Sequence, residues 1–468
     1  MAHRAEAPEA PGRRLPLREW ISPRRRPYFV LFALLPLLLA MPFVGPSINP
    51  NLWGDEQGYV GLARKLVDGQ YLTGRDDLVV GWPNVPNLWF GPGLPIALTP
   101  LAALGAPVEL IRVAGPVFVF AAALLFYALL RRHVSQWWAL AGALALGLYA
   151  PFYPALVHLH SETLAVLLVV AMMLGTGAYV RTGDKRHLVL GAVALGWLAL
   201  TRVAFGWIVT ILLALALLWW AVRRTAVPRR FCAVCALALV LCLPWLAYTY
   251  SATDRLFYWG SSGGLSLYWM ASPYPADLGD WQLPSDVFVK PRLEPHRPLF
   301  TSLVGQSIPE QNARLERAAL ENVRDHPGKY AENVLANVSR MWFHFPYSDR
   351  QERVKPLIYV IPNALVLAGL LVTVGLVAVR RRLLPVEAAP FAMFAAVTFG
   401  FHAFLSAYPR MLFPVIPVLV WFAAVVLSRS VHLAPADEIA QATVQPVAAS
   451  PAANSPAEAQ GQRVQTTG

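Results

Sequence analysis

Charged side chains that could carry proton and phosphate chemistry lie in the short gaps between long apolar stretches of this sequence. Asp55 and Glu56 follow the first apolar stretch, Glu162 follows a proline-bounded turn, and Arg202 and Arg410 interrupt or flank later ones. A carboxylate can take a proton from a hydroxyl group, and guanidinium groups can hold a phosphate by charge-assisted hydrogen bonds. Whether these five side chains can act together depends on the elements that position them.

The composition is that of a protein that crosses a membrane many times. Of the 468 residues, 56% are hydrophobic and 14% are charged, whereas soluble domains average about 25% charged residues. The net charge of +12 comes from short basic clusters between apolar runs, the pattern of the positive-inside bias. It therefore predicts topology and gives no reason to expect a nucleic-acid partner. The cysteines share one apolar run, which predicts neither a disulfide framework nor a metal site: Cys232, Cys235 and Cys242.

Apolar runs and basic clusters together predict an all-α polytopic bundle of about nine to eleven transmembrane helices. The basic N-terminus should remain in the cytoplasm, so the segment after the first helix is extracytoplasmic. The apolar stretch 188–222 would measure about 50 Å as one helix, too long for a hydrocarbon core of about 30 Å. We therefore predict two helices that meet at Thr201 and Arg202 at the outer surface.

The same pattern divides the chain into five parts. Two interfacial helices are expected in the first outer loop, at 55–68 and 96–104. Within the polar region that follows, 257–298 is expected to be irregular, and helical spacing predicts amphipathic helices at 309–325 and 329–343. The parts are a cytoplasmic basic tail 1–26, a transmembrane catalytic module 27–250 with outer loop 46–107, an extracytoplasmic loop region 251–353, C-terminal transmembrane helices 354–430, and a disordered cytoplasmic tail 431–468.

This topology brings the five charged residues to one membrane face. An arginine there runs against the charge bias, and a charge near hydrocarbon costs about 2.5 to 3.5 kcal/mol at a helix centre on insertion scales. Taken singly, Arg202 or Arg410 could instead snorkel or bind a lipid headgroup. Together with the acids, the two arginines predict a site for an anion.

Several short motifs follow one another in an order that resembles a known group of membrane enzymes. They are Trp53-Gly-Asp-Glu-Gln-Gly-Tyr59, Gly91-Pro-Gly-Leu-Pro95, His160-Ser-Glu162, Leu200-Thr-Arg202, Pro244-Trp245, Gly263-Gly264-Leu265, His326-Pro327 and Tyr408-Pro-Arg410. The group is the GT-C glycosyltransferases of the protein O-mannosyltransferase and lipid A aminoarabinose transferase type. The chain departs from the group's pattern at Ala247-Tyr248 and at Met411, which leaves donor selectivity open.

The resemblance implies a GT-C-like fold in the plasma (inner) membrane, with both termini cytoplasmic. It also implies transfer of a monosaccharide from a polyprenyl-phosphate donor to a glycan, lipid or protein acceptor on the outer face, with inversion. On that basis Asp55 is the catalytic base and Glu56 orients the base or binds the acceptor. Arg202 and Arg410 hold the donor phosphate. Substrate-binding or supporting roles fall to four further residues: Tyr59, His160, Glu162 and Tyr408.

Other interpretations remain open at this stage. No cofactor is expected with certainty, but His158, His160 and Glu162 could hold Zn²⁺ or Mn²⁺ with an acid of the first outer loop. Against this, the i, i+2 spacing places the two histidines on different faces of a helix. A lipid or glycolipid transporter or flippase would also be polytopic and basic, although no internal repeat is evident. Asn337-Val-Ser339 has the form of a glycosylation acceptor, but it falls on a predicted helix.

Overall fold

A computed structural model describes residues 26–44, 52, 54–69, 88–348, 356–380 and 384–430. The predictions for the basic N-terminal tail up to residue 25 and for the tail from residue 431 lie outside the described residues. The same holds for Trp53 and for most of the first outer loop.

The described chain consists of α-helices with short 3₁₀ and π segments, and it contains no strand, which confirms the all-α fold class. The helices are α1 Arg26–Ala40, α2 Asp55–Val67, α3 Gly93–Ala103, α4 Val108–Arg112, α5 Ala114–Leu130, α6 Gln136–Gly147, α7 Tyr153–Val157, α8 Ser161–Thr182, α9 Lys185–Thr201, α10 Ala204–Arg223, α11 Ala226–Leu241, α12 Leu243–Thr253, α13 Gly263–Met270, α14 Arg297–Leu303, α15 Ile308–Asp325, α16 Pro327–Phe343, α17 Ile361–Val379, α18 Ala388–Ala403 and α19 Ile416–Ser428.

Six described segments are long and apolar enough to cross a membrane, and α11 with α12 adds a seventh if this pair, bent by 45°, forms one span. The chain is thus a multi-pass membrane protein. Helices α3, α18 and α19 are also apolar but shorter, so the total of nine to eleven spans stays a prediction. The six segments are Arg26–Phe43, Val108–Leu130, Gln136–Val157, Ser161–Thr182, Ala204–Arg223 and Leu357–Val379.

Helix α8 forms the centre of the bundle, since it is the most buried of the six segments. The segment that contains α17 is the least buried. Helix α8 packs on α5, α9 and α11 within one continuous apolar core. Because α8 begins at Ser161, its first turn brings Glu162 to the end of the bundle where α2 and α3 also lie. The most enclosed of the six segments therefore presents a carboxylate at one end of the bundle.

The long apolar stretch 188–222 forms two helices that meet at Thr201 and Arg202, as its length predicted. Helix α9 ends at Thr201 and α10 begins at Ala204, and Arg202 between them has an extended backbone whose N–H still bonds the Leu198 carbonyl. Helix α3 packs closely against this break, because the indole nitrogen of Trp197 donates to the Gly93 carbonyl over 3.0 Å. The break fixes the position at which the Arg202 side chain leaves the bundle.

In the polar region, the amphipathic helices predicted at 309–325 and 329–343 are confirmed as α15 and α16. Helix α15 begins with a capping box in which the amide of Ser307 donates to Glu310 over 2.9 Å. The expectation of an irregular segment at 257–298 is wrong for α13. Two glycines at the start of α13 disfavour a helix by propensity, but Gly264 allows close packing on α15, where its amide donates to Asn312 over 2.7 Å.

The close approach of α3 to the helix break makes Gly93 sensitive to a methyl group. A Cβ added at Gly93 would lie 2.6 Å from the Thr201 nitrogen, whereas one added at Gly61 of α2 would meet nothing within 4 Å. We expect Gly93→Ala to lower the midpoint of thermal unfolding in detergent. Gly61→Ala should leave the midpoint unchanged or raise it, since alanine in a helix stabilises by about 0.5 to 1 kcal/mol over glycine. Equal midpoints for the two variants would contradict this packing.

Candidate active site

Four charged side chains from four separate segments form one connected group. Arg410 donates through Nη1 to Oδ2 of Asp55, and its Nε lies 3.5 Å from Oε1 of Glu162. Arg202 donates through Nη1 to the same Glu162 oxygen. Glu162 therefore bridges two guanidinium groups, and Arg410 bridges two carboxylates. We call these four residues the charge network.

Local structure accounts for the position of both carboxylates. Gly54 has φ 57° and ψ −129°, a conformation that residues with a Cβ disfavour, and it turns the chain into α2 so that Asp55 is the first helical residue. Glu162 is the second residue of α8. Both acids thus lie in the first turn of a helix, where free N–H groups and the helix dipole favour a negative charge.

Burial divides the network into an inner and an outer half. The Glu162 side chain is 1% exposed and Arg202 is 10% exposed, whereas Asp55 is 32% and Arg410 is 29% exposed. Burial alone would lower the pKa of Arg410, but the adjacent charges of Asp55 and Glu162 raise it, so this guanidinium remains charged. A substrate would meet Asp55 and Arg410 first, with Glu162 and Arg202 behind them.

The two tyrosines singled out in the sequence both adjoin the network. The Tyr59 hydroxyl donates to Oγ of Ser161 over 3.0 Å, and Nη1 of Arg202 lies 3.4 Å from the same oxygen. Burial, reinforced by the charges of Asp55 and Glu162, raises the pKa of Tyr59, so its phenol stays protonated. The Tyr408 ring centroid lies 5.9 Å from the Arg410 guanidinium carbon, within cation–π range.

Glu56 takes a different direction from its neighbour Asp55. It is fully buried, and Arg112 donates to its two oxygens over 2.9 Å each. The Leu159 amide donates to the same carboxylate over 2.6 Å. Glu56 thus anchors α2 to α4 and to the turn before α8, and its part in catalysis stays a prediction. Sequence reasoning missed Arg112, whose one signal was a charge just after the outer loop 46–107, at the start of an apolar stretch.

The two histidines flank the site without forming a metal cluster. Nδ1 of His158 lies 3.9 Å from Glu56, the two imidazole ring centroids are 6.4 Å apart, and His160 interacts electrostatically with Arg410. Burial lowers the pKa of both histidines, which favours neutral imidazoles. Throughout the part of the chain that the structure describes, no three His, Cys, Asp or Glu side chains are grouped to hold a metal ion. The alternative of a divalent ion at His158, His160 and Glu162 thus gains no support from their placement.

Comparison with known proteins identifies the fold. No protein-family description and no curated protein matches the sequence. The structure is similar to the oligosaccharyltransferase of Archaeoglobus fulgidus in its apo form, with a TM-score of 0.56 and 16% identity, covering 90% of this chain and 53% of that one. The same enzyme tethered by a disulfide to an acceptor peptide containing the NVT sequon gives a TM-score of 0.52 and 14% identity over 88% and 50% of the two chains.

A third similar structure is ArnT from Cupriavidus metallidurans bound to undecaprenyl phosphate, with a TM-score of 0.38 and 14% identity over 86% and 77% of the two chains. The present chain spans about half the length of the oligosaccharyltransferase that it matches. The similarity to the two oligosaccharyltransferase structures confirms the expected GT-C fold. At such identities they concern the fold alone.

The different surroundings of the adjacent acids predict effects on stability that differ in size. Glu56→Gln would leave the buried Arg112 guanidinium without its ionised partner, and breaking a buried pair in this way costs about 3 to 5 kcal/mol. Asp55→Asn removes a partly exposed contact, which should cost about 1 kcal/mol or less. We therefore expect a large fall in the thermal unfolding midpoint for Glu56→Gln and a small one for Asp55→Asn. The reverse order would show that Glu56 is not the anchor.

Proposed function

We propose that this protein is an integral membrane glycosyltransferase. It moves a monosaccharide from a polyprenyl-phosphate donor to a hydroxyl group of a glycan, lipid or protein acceptor at the extracytoplasmic face, with inversion. The observation that carries the proposal is the charge network of Asp55, Glu162, Arg202 and Arg410 at the end of a GT-C bundle. Its two partly exposed members are a carboxylate and a guanidinium in contact.

The arginines supply what a departing phosphate needs. As the bond between the anomeric carbon and the phosphate oxygen breaks, the electron pair moves onto that oxygen. A guanidinium binds phosphate with up to two parallel hydrogen bonds, and fixed positive charge in a site poor in water stabilises the growing negative charge. Arg410 binds the phosphate from the more exposed side of the network, and Arg202 binds the same phosphate from the more buried side.

Asp55 supplies the other half of the reaction. It takes the proton from the acceptor hydroxyl while that oxygen attacks the anomeric carbon on the face opposite to the phosphate, which inverts the configuration. General-base assistance of this kind contributes about 10² to 10⁴ in rate. Because Asp55 is bonded to Arg410, a donor phosphate that draws Arg410 away would release the carboxylate for this task.

Glu162 keeps the arginines in place during that exchange. The carboxylate is buried, and Oε1 contacts Arg202 and Arg410 together. Two guanidinium groups side by side would repel each other, and a shared carboxylate between them offsets this repulsion. Glu162 thus acts as a positioning residue, and the donor phosphate does not need to reach it.

A transfer assay in proteoliposomes with polyprenyl-phosphate sugars tests the proposal. For Asp55→Asn we expect kcat to fall by about 10² or more, since this variant lacks the base. The donor KM should not rise, because both arginines remain and Arg410 no longer has to leave an ionised partner. The separate variant Arg410→Gln should raise the donor KM. Consumption of the donor by Asp55→Asn at the wild-type rate would overturn the mechanism. Movement of intact donor across the bilayer without cleavage would identify a transporter instead.

A further inference from the structure

The loop that carries Arg410 is held at both ends by one buried asparagine of α16. Helix α18 ends at Ala403, and the two hydrogens on Nδ2 of Asn337 are shared among three carbonyls, those of His402 at 3.0 Å, Ala403 at 3.0 Å and Leu405 at 2.8 Å. On its other side, Oδ1 of Asn337 accepts from the Ala407 amide over 3.0 Å. One side chain thereby satisfies carbonyls that the end of α18 would leave without partners.

One turn further along α16, Arg340 bonds to the same loop. It is 0% exposed and donates to the carbonyls of Ala407 over 3.3 Å, Pro346 over 2.8 Å and Leu278 over 3.2 Å. Its Nη2 also donates to Oδ1 of Asn337 over 3.1 Å. A buried guanidinium with several main-chain acceptors is a rigid connector, because each hydrogen bond fixes a different piece of backbone.

These contacts converge three residues before Arg410. The N–H of Ala407 is bonded to Asn337 and its C=O to Arg340, and the following Tyr408 donates through its hydroxyl to the Trp281 carbonyl over 3.2 Å. The backbone of the short segment from Ala407 into the turn Pro409–Leu412 therefore has little freedom. The Arg410 guanidinium starts from a fixed base.

We propose that Asn337 and Arg340 are positioning residues of the donor site, which set where the Arg410 guanidinium stands relative to Asp55 and Glu162. The inference rests on the function proposed above. Hydrogen bonds to phosphate weaken steeply with distance and angle, so a displaced guanidinium binds the donor less well even when it keeps its charge. Loss of either α16 residue should therefore act on donor binding before it acts on the acceptor.

The position of Asn337 also bears on the motif Asn337-Val-Ser339, which has the form of a glycosylation acceptor. The side chain is 0% exposed, and all its polar atoms are bonded within the fold. In the folded protein the amide is inaccessible to modification. Its place in the sequence is accounted for by the loop that it holds.

Asn333 provides a matched control on the same helix. It lies one turn before Asn337 and is also 0% exposed, and its Nδ2 donates to the carbonyls of Met270 and Ser272 over 3.0 Å each. Residue type, burial and the kind of acceptor are the same for both. The two residues differ in the segment held, which at Asn333 is the end of α13, and in the amide oxygen, which at Asn337 accepts from Ala407 and Arg340 but at Asn333 has no partner among the described residues.

The experiment compares Asn337→Ala with Asn333→Ala, both measured below their unfolding midpoints. The first readout is amide hydrogen exchange, in which Asn337→Ala should speed exchange at 404–412 and Asn333→Ala at 270–277. The second is binding of undecaprenyl phosphate, which should weaken about tenfold or more in Asn337→Ala and less than about twofold in Asn333→Ala, as a lost positioning contact of about 1.4 kcal/mol implies. Arg340→Lys keeps the charge without the fork and should weaken binding in the same direction, which preserves the test if Asn337→Ala does not fold.

The possible outcomes separate the two proposals. Equal weakening of binding by the two asparagine variants, or wild-type binding by Asn337→Ala despite faster exchange at 404–412, would overturn the positioning role. If wild-type protein does not bind undecaprenyl phosphate at all, the proposed function fails, and the donor-site role fails with it. The exchange pattern would then still report whether Asn337 holds the Arg410 loop.

Discussion

The structure depends on one carboxylate, Glu162, that is shared between two arginines at the boundary of the bundle. Charges this deeply buried are costly unless they are paired, and loss of one member strands the others. Four segments must therefore arrive together: the start of α2, the start of α8, the break after α9 and the turn at Pro409–Leu412. Much of the surrounding structure serves to bring these four segments together.

Two further pairs of buried polar side chains hold the segments that carry Asp55 and Arg410. The pair of Glu56 and Arg112 ties α2 to the second span, so the helix that carries Asp55 cannot turn or slide without breaking two hydrogen bonds. Asn337 and Arg340 do the same for the loop that carries Arg410. In both cases a partly exposed member of the charge network, Asp55 or Arg410, lies on a segment that buried polar side chains hold in place. Buried supporting contacts of this kind hold a polar site in a defined geometry.

Much of this arrangement follows from the sequence, because membrane thickness constrains it strongly. The break at Arg202 follows from the length of one apolar stretch, and α15 and α16 follow from helical spacing. The different environments of Asp55 and Glu56 do not follow from the sequence. Neighbouring residues on a helix point about 100° apart, and only the packing of the helix decides which of them faces the arginines. The contacts of Arg112 and Asn337 could not be predicted from the sequence either. Their partners are distant in sequence or are main-chain carbonyls, which leave no pattern to read.

In the proposed mechanism, Arg202 and Arg410 bind one phosphate together. Its most direct test is the affinity of undecaprenyl phosphate for the wild type, for Arg202→Gln, for Arg410→Gln and for the double variant. We expect each single change to weaken binding by about tenfold or more, and the double change to weaken it by less than the product of the two, because the arginines share a ligand. Wild-type affinity in all three variants would show that the two arginines do not bind the phosphate.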